Sequence, residues 1–208
     1  MNLRKTLSAI ALLCTPALAF AHPGHGDSGL MAGLAHPVFG LDHLLAMFAV
    51  GLWAAQQSGA ARWALPLTFV GSMLVGGLLG FSGVEIPLME TGIAGSVLAF
   101  GLLVVVAARL PMAVSVALTA FFALTHGVAH GLELPELASP FGYAIGFIVA
   151  TAALHAIGFA LVRFLPQAAA PLVRIAGGAS AATGAWLLLC VPSSVLRHRT
   201  ARLLLHHT

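Results

Sequence analysis

Beyond residue 30 the chain reads as six apolar stretches with short connections, each beginning near a proline: Pro37, Pro66, Pro87, Pro111, Pro140 and Pro171. Proline suits the first turn of a helix, where its missing N–H has no partner to lose. The stretches predict helices over about 37–55, 64–83, 87–108, 111–133, 140–164 and 171–191. Each approaches the ~20 apolar residues that cross a bilayer. Glycine pairs one turn apart, Gly76/Gly80 and Gly142/Gly146, fit close helix packing in lipid.

Composition makes the membrane assignment firm. The chain is 60% hydrophobic and 7% charged, with a mean hydropathy of +1.01. Soluble domains carry about 25% charged residues, so no water-facing surface can be built from this material. At 208 residues there is no room for a soluble ATP-binding module beside six spans. The expected fold is therefore all-α, an integral membrane protein of six transmembrane helices. Residues 1–21 have the layout of a secretory signal peptide, with Arg4 and Lys5, an apolar centre and the end Ala19-Phe20-Ala21. The predicted organisation is 1–21 signal peptide, 22–192 membrane domain and 193–208 basic tail.

Charge sets the expected orientation. With the mature N-terminus outside, the inner connections carry Arg62, Arg109, Arg163 and Arg174, as the positive-inside rule asks. The three arginines of the tail, Arg197, Arg199 and Arg202, break that rule in this topology. All six acids (Asp27, Asp42, Glu85, Glu90, Glu133 and Glu136) fall outside or in the outer half of a span. Such a mouth concentrates cations.

Candidate chemistry lies in two clusters. The first is His36, Asp42 and His43, in "HPVFGLDH". Pro37 biases His36 away from helical geometry, which places it at the outer lip of the first span. His43 then lies about 10 Å deeper at ~1.5 Å per residue, on a stripe with Gly40 and Met47. The second cluster is His126, His130 and Glu133, in "THGVAHGLE", on one face of the fourth helix. Both reach the outer half of the membrane, which points to one shared site. Imidazole plus carboxylate without thiolate suits Ni²⁺, Co²⁺ or Zn²⁺ and not Cu⁺. On this reading Asp42 is tolerated at depth because a cation is its partner. His155 is balanced between a helix-bridging hydrogen-bonding role and the ion path, while His22 and His25 are candidate capture residues at the mouth.

At these residues the chain resembles the HupE/UreJ family of bacterial nickel/cobalt permeases. The resemblance covers nearly the whole chain, and its sharpest marker is HPxxGxDH, here His36 to His43. It implies functional positions at Phe69 and Glu90 as well; by itself Phe69 reads as core and Glu90 as a mouth acid. It implies uptake of Ni²⁺ or Co²⁺ through the inner membrane, supplying a nickel enzyme such as hydrogenase or urease. No prosthetic cofactor, enzymatic activity or nucleic-acid partner is expected, and homo-oligomerisation is left open. The alternative is an intramembrane zinc hydrolase built on His126-x₃-His130, against which stands the lack of a His-Glu-x-x-His order. A haem protein lacks the C-x-x-C-H attachment motif. Gly40-Leu41-Asp42 echoes Gly131-Leu132-Glu133 on antiparallel spans, too short an echo to establish an inverted repeat.

Overall fold

The computed structural model describes residues 29–133, 139–166, 168 and 170–205, with side chains as far as Val191. Residues 1–21, expected as a signal peptide, and His22, His25, Asp27 and Glu136 lie outside the described residues. Seven helices and no strand occur among those described: α1 Gly29–Phe39, α2 Leu41–Gln56, α3 Ala61–Phe81, α4 Met89–Val105, α5 Met112–Glu133, α6 Pro140–Phe164 and α7 Ala170–Leu205. Four helices are long and apolar enough to cross a membrane: α3, α5, α6 and Ala170–Val191 of α7. The α1–α2 pair passes the same test only when taken together, bent by 78°, and α4 is a shorter apolar helix.

The first expected span is therefore two helices. The chain breaks at Gly40, whose backbone is extended (φ −78°, ψ 104°). Contrary to the expectation from Pro37, His36 is helical, and Pro37 itself lies inside α1. The restraint on the preceding residue is a bias that packing overrides here, three residues before the helix ends. Pro66 is likewise interior, because α3 begins at Ala61 rather than 64. The expectation holds at Pro140, which opens α6. Past Val191 the backbone of α7 continues as helix to Leu205, through most of the segment expected as a separate tail.

Helix pairs are seamed by glycine. Beside Gly76 lies the Leu124 carbonyl, beside Gly80 that of Val128, beside Gly127 that of Met73 and beside Gly131 that of Gly77. A Cβ at any of the four would collide with backbone. Residue numbers rise together across this seam, so α3 and α5 run parallel. The same logic makes α1 parallel to α6, where Gly33 meets the Tyr143 carbonyl and Gly146 that of Leu30. Numbers fall against one another between α4 and α7, where Gly101 meets Ala181 and Gly184 meets Leu98, so that pair is antiparallel.

Helix α2 is the axis of the bundle. Nine of its 16 residues are buried, including Met47, Leu52 and Trp53. Its C-terminal end holds the end of α4: Trp53 Nε1 and Gln57 Nε2 both donate to the Ala108 carbonyl at 2.9 Å, and Gln56 Nε2 donates to that of Val104 at 3.1 Å. These bonds satisfy carbonyls that the helix end leaves without partners, beside the left-handed Ala107 (φ 47°). The outer faces expose Leu67, Leu78, Phe141, Ile145 and Phe164, a surface suited to lipid rather than water.

Candidate metal centre

The break at Gly40 is what assembles the centre. On a straight helix His36 and His43 would stand about 10 Å apart. Here their ring centroids are 5.6 Å apart, and a third imidazole, His130 from α5, lies 4.7 Å from His36 and 4.5 Å from His43. One ring nitrogen from each of His36, His43 and His130 falls within 4.8 Å of the other two. His43 and His130 are buried and His36 is half-buried. Three nitrogens converging at this spacing form a ready face for a divalent first-row ion.

The hydrogen bonds fix which nitrogen faces inward. His43 Nδ1 donates to Asp42 Oδ1 at 2.6 Å, and the His43 backbone N–H donates to the same oxygen at 2.8 Å. The Nε2 of His43 is thereby left as an acceptor, and Nε2 of His130 donates to it at 2.6 Å. For both nitrogens to face an ion, that proton must move to Nδ1 of His130 or leave. A carboxylate behind a metal-facing imidazole sets both tautomer and ring orientation. Asp42 thus holds the ring of His43 from behind and lies outside the converging trio of ring nitrogens. Its depth also has another cause than a cation: two N–H donors and the first turn of α2 stabilise its charge. Gly40 keeps this pair uncrowded, since a Cβ there would stand 3.2 Å from His43 Nδ1 and 3.3 Å from Asp42 Oδ1 and press on both.

His126 and Glu133 lie next to the trio without joining it. His126 is fully buried, its ring 4.8 Å from that of His43. Because the Ser96 hydroxyl donates to the Ile93 carbonyl (2.6 Å), it accepts from His126 Nε2 (2.8 Å). The Nδ1 atom of His126 has no hydrogen-bond partner. Glu133 Oε2 lies 3.7 Å from His130 Nδ1 with its side chain 59% exposed, a rim position. Glu90, exposed in the first turn of α4, acts electrostatically on Asp42, His43 and Glu133. The centre therefore sits beneath a rim of three carboxylates.

The surrounding wall is aromatic. The ring of Phe147 lies 4.2 Å from His130, and that of Tyr143 lies 5.7 Å from His36. An apolar cavity of about 410 Å³ opens beside them, lined by Met73, Gly77, Phe81, His130, Tyr143 and Phe147 among others. Neither aromatic residue nor Ser96 was signalled by the sequence, because none carries a chemistry recognisable without its neighbours. Phe69 is core, as its residue type suggests, but its ring stands between two imidazoles, 5.8 Å from His126 and 5.1 Å from His155. His155 does not bridge helices by hydrogen bonds, since neither ring nitrogen has a partner.

A protein-family model described as HupE / UreJ protein matches residues 10–187. The chain is 44% identical to Protein HupE of Rhizobium leguminosarum bv. viciae over 191 residues, 91% of this chain and all of that protein. No solved structure matches. The chain belongs to the HupE/UreJ family.

Proposed function

We propose that this HupE/UreJ protein is a secondary permease that carries Ni²⁺, or Co²⁺, across the bacterial inner membrane into the cytoplasm, supplying nickel enzymes such as hydrogenase or urease. The observation that carries the reading is the convergence of His36, His43 and His130 within 4.8 Å, inside a bundle with a lipid-suited surface and beneath a carboxylate rim. Neutral imidazoles replace the ion's water, and Asp42, Glu90 and Glu133 offset its charge from one layer out. A divalent ion moving inward gains about 4–5 kcal/mol per 100 mV, from ~2.3 per elementary charge, so no nucleotide is required. Such a site must also release its ion, which argues for moderate affinity.

Six alternating crossings agree with the packing, while a periplasmic mature N-terminus rests on the charge pattern of the connections. Alternate crossings require the first and fifth spans to be parallel, the second and fourth parallel, and the third and sixth antiparallel; these are the directions of the glycine seams. The acids Asp42, Glu90 and Glu133 then face outward and Arg62, Arg109 and Arg163 inward.

The apolar cavity beside His130 is the one observation favouring a lipid or peptide hydrolase. That chemistry needs a carboxylate free to activate metal-bound water, and the half-buried candidate, Asp42, is engaged by His43.

The test is accumulation of radioactive nickel, at trace concentration, in cells lacking their own nickel importers. Wild type should accumulate it, while His36→Ala and His130→Ala at matched membrane abundance should fall to background. A well-expressed wild type that imports neither nickel nor cobalt would overturn the reading.

A further inference from the structure

One turn deeper than the centre is a group of buried side chains with no part in it. Met47 follows His43 by four residues on α2, Met73 follows Phe69 by four on α3, and Thr151 precedes His155 by four on α6. The Thr151 hydroxyl lies 3.3 Å from Met47 Sδ and 4.0 Å from Met73 Sδ. Below it the His155 ring meets Phe69 edge-on at 5.1 Å. All five residues are buried. Nothing pairs with His155: both ring nitrogens are without a hydrogen-bond partner. A buried polar group left unpaired is costly, and a leucine would fill the same space without that cost.

We propose that Met47, Met73, Thr151 and His155 form a second, inner station for the transported divalent ion, entered from the histidine centre past the ring of Phe69; this rests on the permease reading above. Its donors are two thioethers, a hydroxyl and an imidazole, all neutral. An ion there keeps its full charge and is held loosely, as the step before release requires. The donor set also selects. Mg²⁺ prefers oxygen ligands and gives up its water reluctantly, so an imidazole–thioether station rejects it while passing Ni²⁺ or Co²⁺. Discrimination against the harder ion then occurs inside the bundle, and the acidic rim is free to attract any cation.

The test uses full-length protein in lipid nanodiscs loaded with Ni²⁺ and examined by nickel-edge X-ray absorption, beside nickel uptake in cells. Wild type should show sulfur scattering in addition to nitrogen and oxygen. The Met47→Leu/Met73→Leu double variant conserves volume, a swap that packed cores tolerate. It should lose the sulfur signal and at least about tenfold in uptake while retaining the nitrogen-bound nickel of the centre. His155→Asn should lower uptake by a similar factor at unchanged membrane abundance. A wild type with nitrogen and oxygen ligands only, or a double variant with undiminished uptake, would refute the inner station and leave the permease standing. A wild type that neither binds nor imports nickel would remove both.

Discussion

Two substitutions at Asp42 separate orientation from ligation. The carboxylate accepts from His43 Nδ1 at 2.6 Å and from the His43 backbone N–H at 2.8 Å, so its effect passes through the ring behind which it sits. Losing such an outer partner costs about 10–100-fold in metal affinity or activity, about 1.4–2.8 kcal/mol at 1.4 per tenfold. Asp42→Asn keeps an oxygen in place to accept both bonds and loses only the charge. Its cost should lie near the lower figure, about tenfold. Asp42→Ala removes the acceptor, frees the tautomer and lets the ring turn, and should cost close to 100-fold. The assay is nickel uptake across a concentration series at matched membrane abundance, with the change appearing mainly in the concentration dependence. If Asn and Ala abolish uptake equally, the carboxylate charge is itself indispensable, Asp42 binds the ion directly, and the orienting role is wrong.

Three further predictions concern the frame of the site. Gly131→Ala puts a methyl group against the Gly77 carbonyl and should destabilise the α3–α5 pair by about 1–3 kcal/mol, lowering the unfolding temperature in detergent. Gly71→Ala, with open space around it, should leave stability equal or higher; identical behaviour of the two would refute the close-approach argument. Ser96→Ala strips His126 Nε2 of its acceptor and should cost about 1–3 kcal/mol of stability, read in the same melt; an unchanged melt would mean that the bond contributes nothing. Glu90→Gln combined with Glu133→Gln should reduce uptake of trace nickel severalfold at low ionic strength, with the deficit shrinking as salt screens the rim. A deficit independent of salt would place these carboxylates on the ion rather than at the mouth.

The two clusters were legible because each obeys a local spacing: His126, His130 and Glu133 lie at intervals of four and three on one helix face, and His36 to His43 form a compact motif. Their meeting was legible too, since both were placed at the same depth. The break at Gly40 was not. A single glycine after a proline is compatible with a continuous span, and nothing in the local sequence requires α1 to end at Phe39. The roles within the clusters were also hidden. Asp42 is adjacent in sequence to His43, and helix spacing alone treats neighbours as facing different ways; only the first-turn geometry turns the carboxylate back onto the ring. Ser96, Tyr143, Phe147 and Thr151 come from other helices, so their parts exist only after folding.

The packing also bears on how the chain is held together as two halves. The most extensive helix pairings are α3 with α5, α4 with α7, and both α1 and α2 with α6, and every one joins the part before Pro111 to the part after it. The directions are those an inverted repeat would impose: exchanging the halves turns the parallel α1/α2–α6 pair into the parallel α3–α5 pair and maps the antiparallel α4–α7 pair onto itself. Neither half can then bury its glycine faces alone, and the centre is divided too, with His36 and His43 in one half and His130 in the other. Separately expressed fragments 1–108 and 109–208 should therefore fail to accumulate or bind nickel, because each exposes backbone seams that no side chain covers. Co-expressed, they should pair and restore a measurable fraction of uptake, since the cut falls outside every helix. Pull-down of one tagged fragment with the other, alongside nickel uptake, reads the outcome. A first fragment that is stable and binds nickel alone would show that the α1–α2 bend, and not the joining of the halves, makes the site.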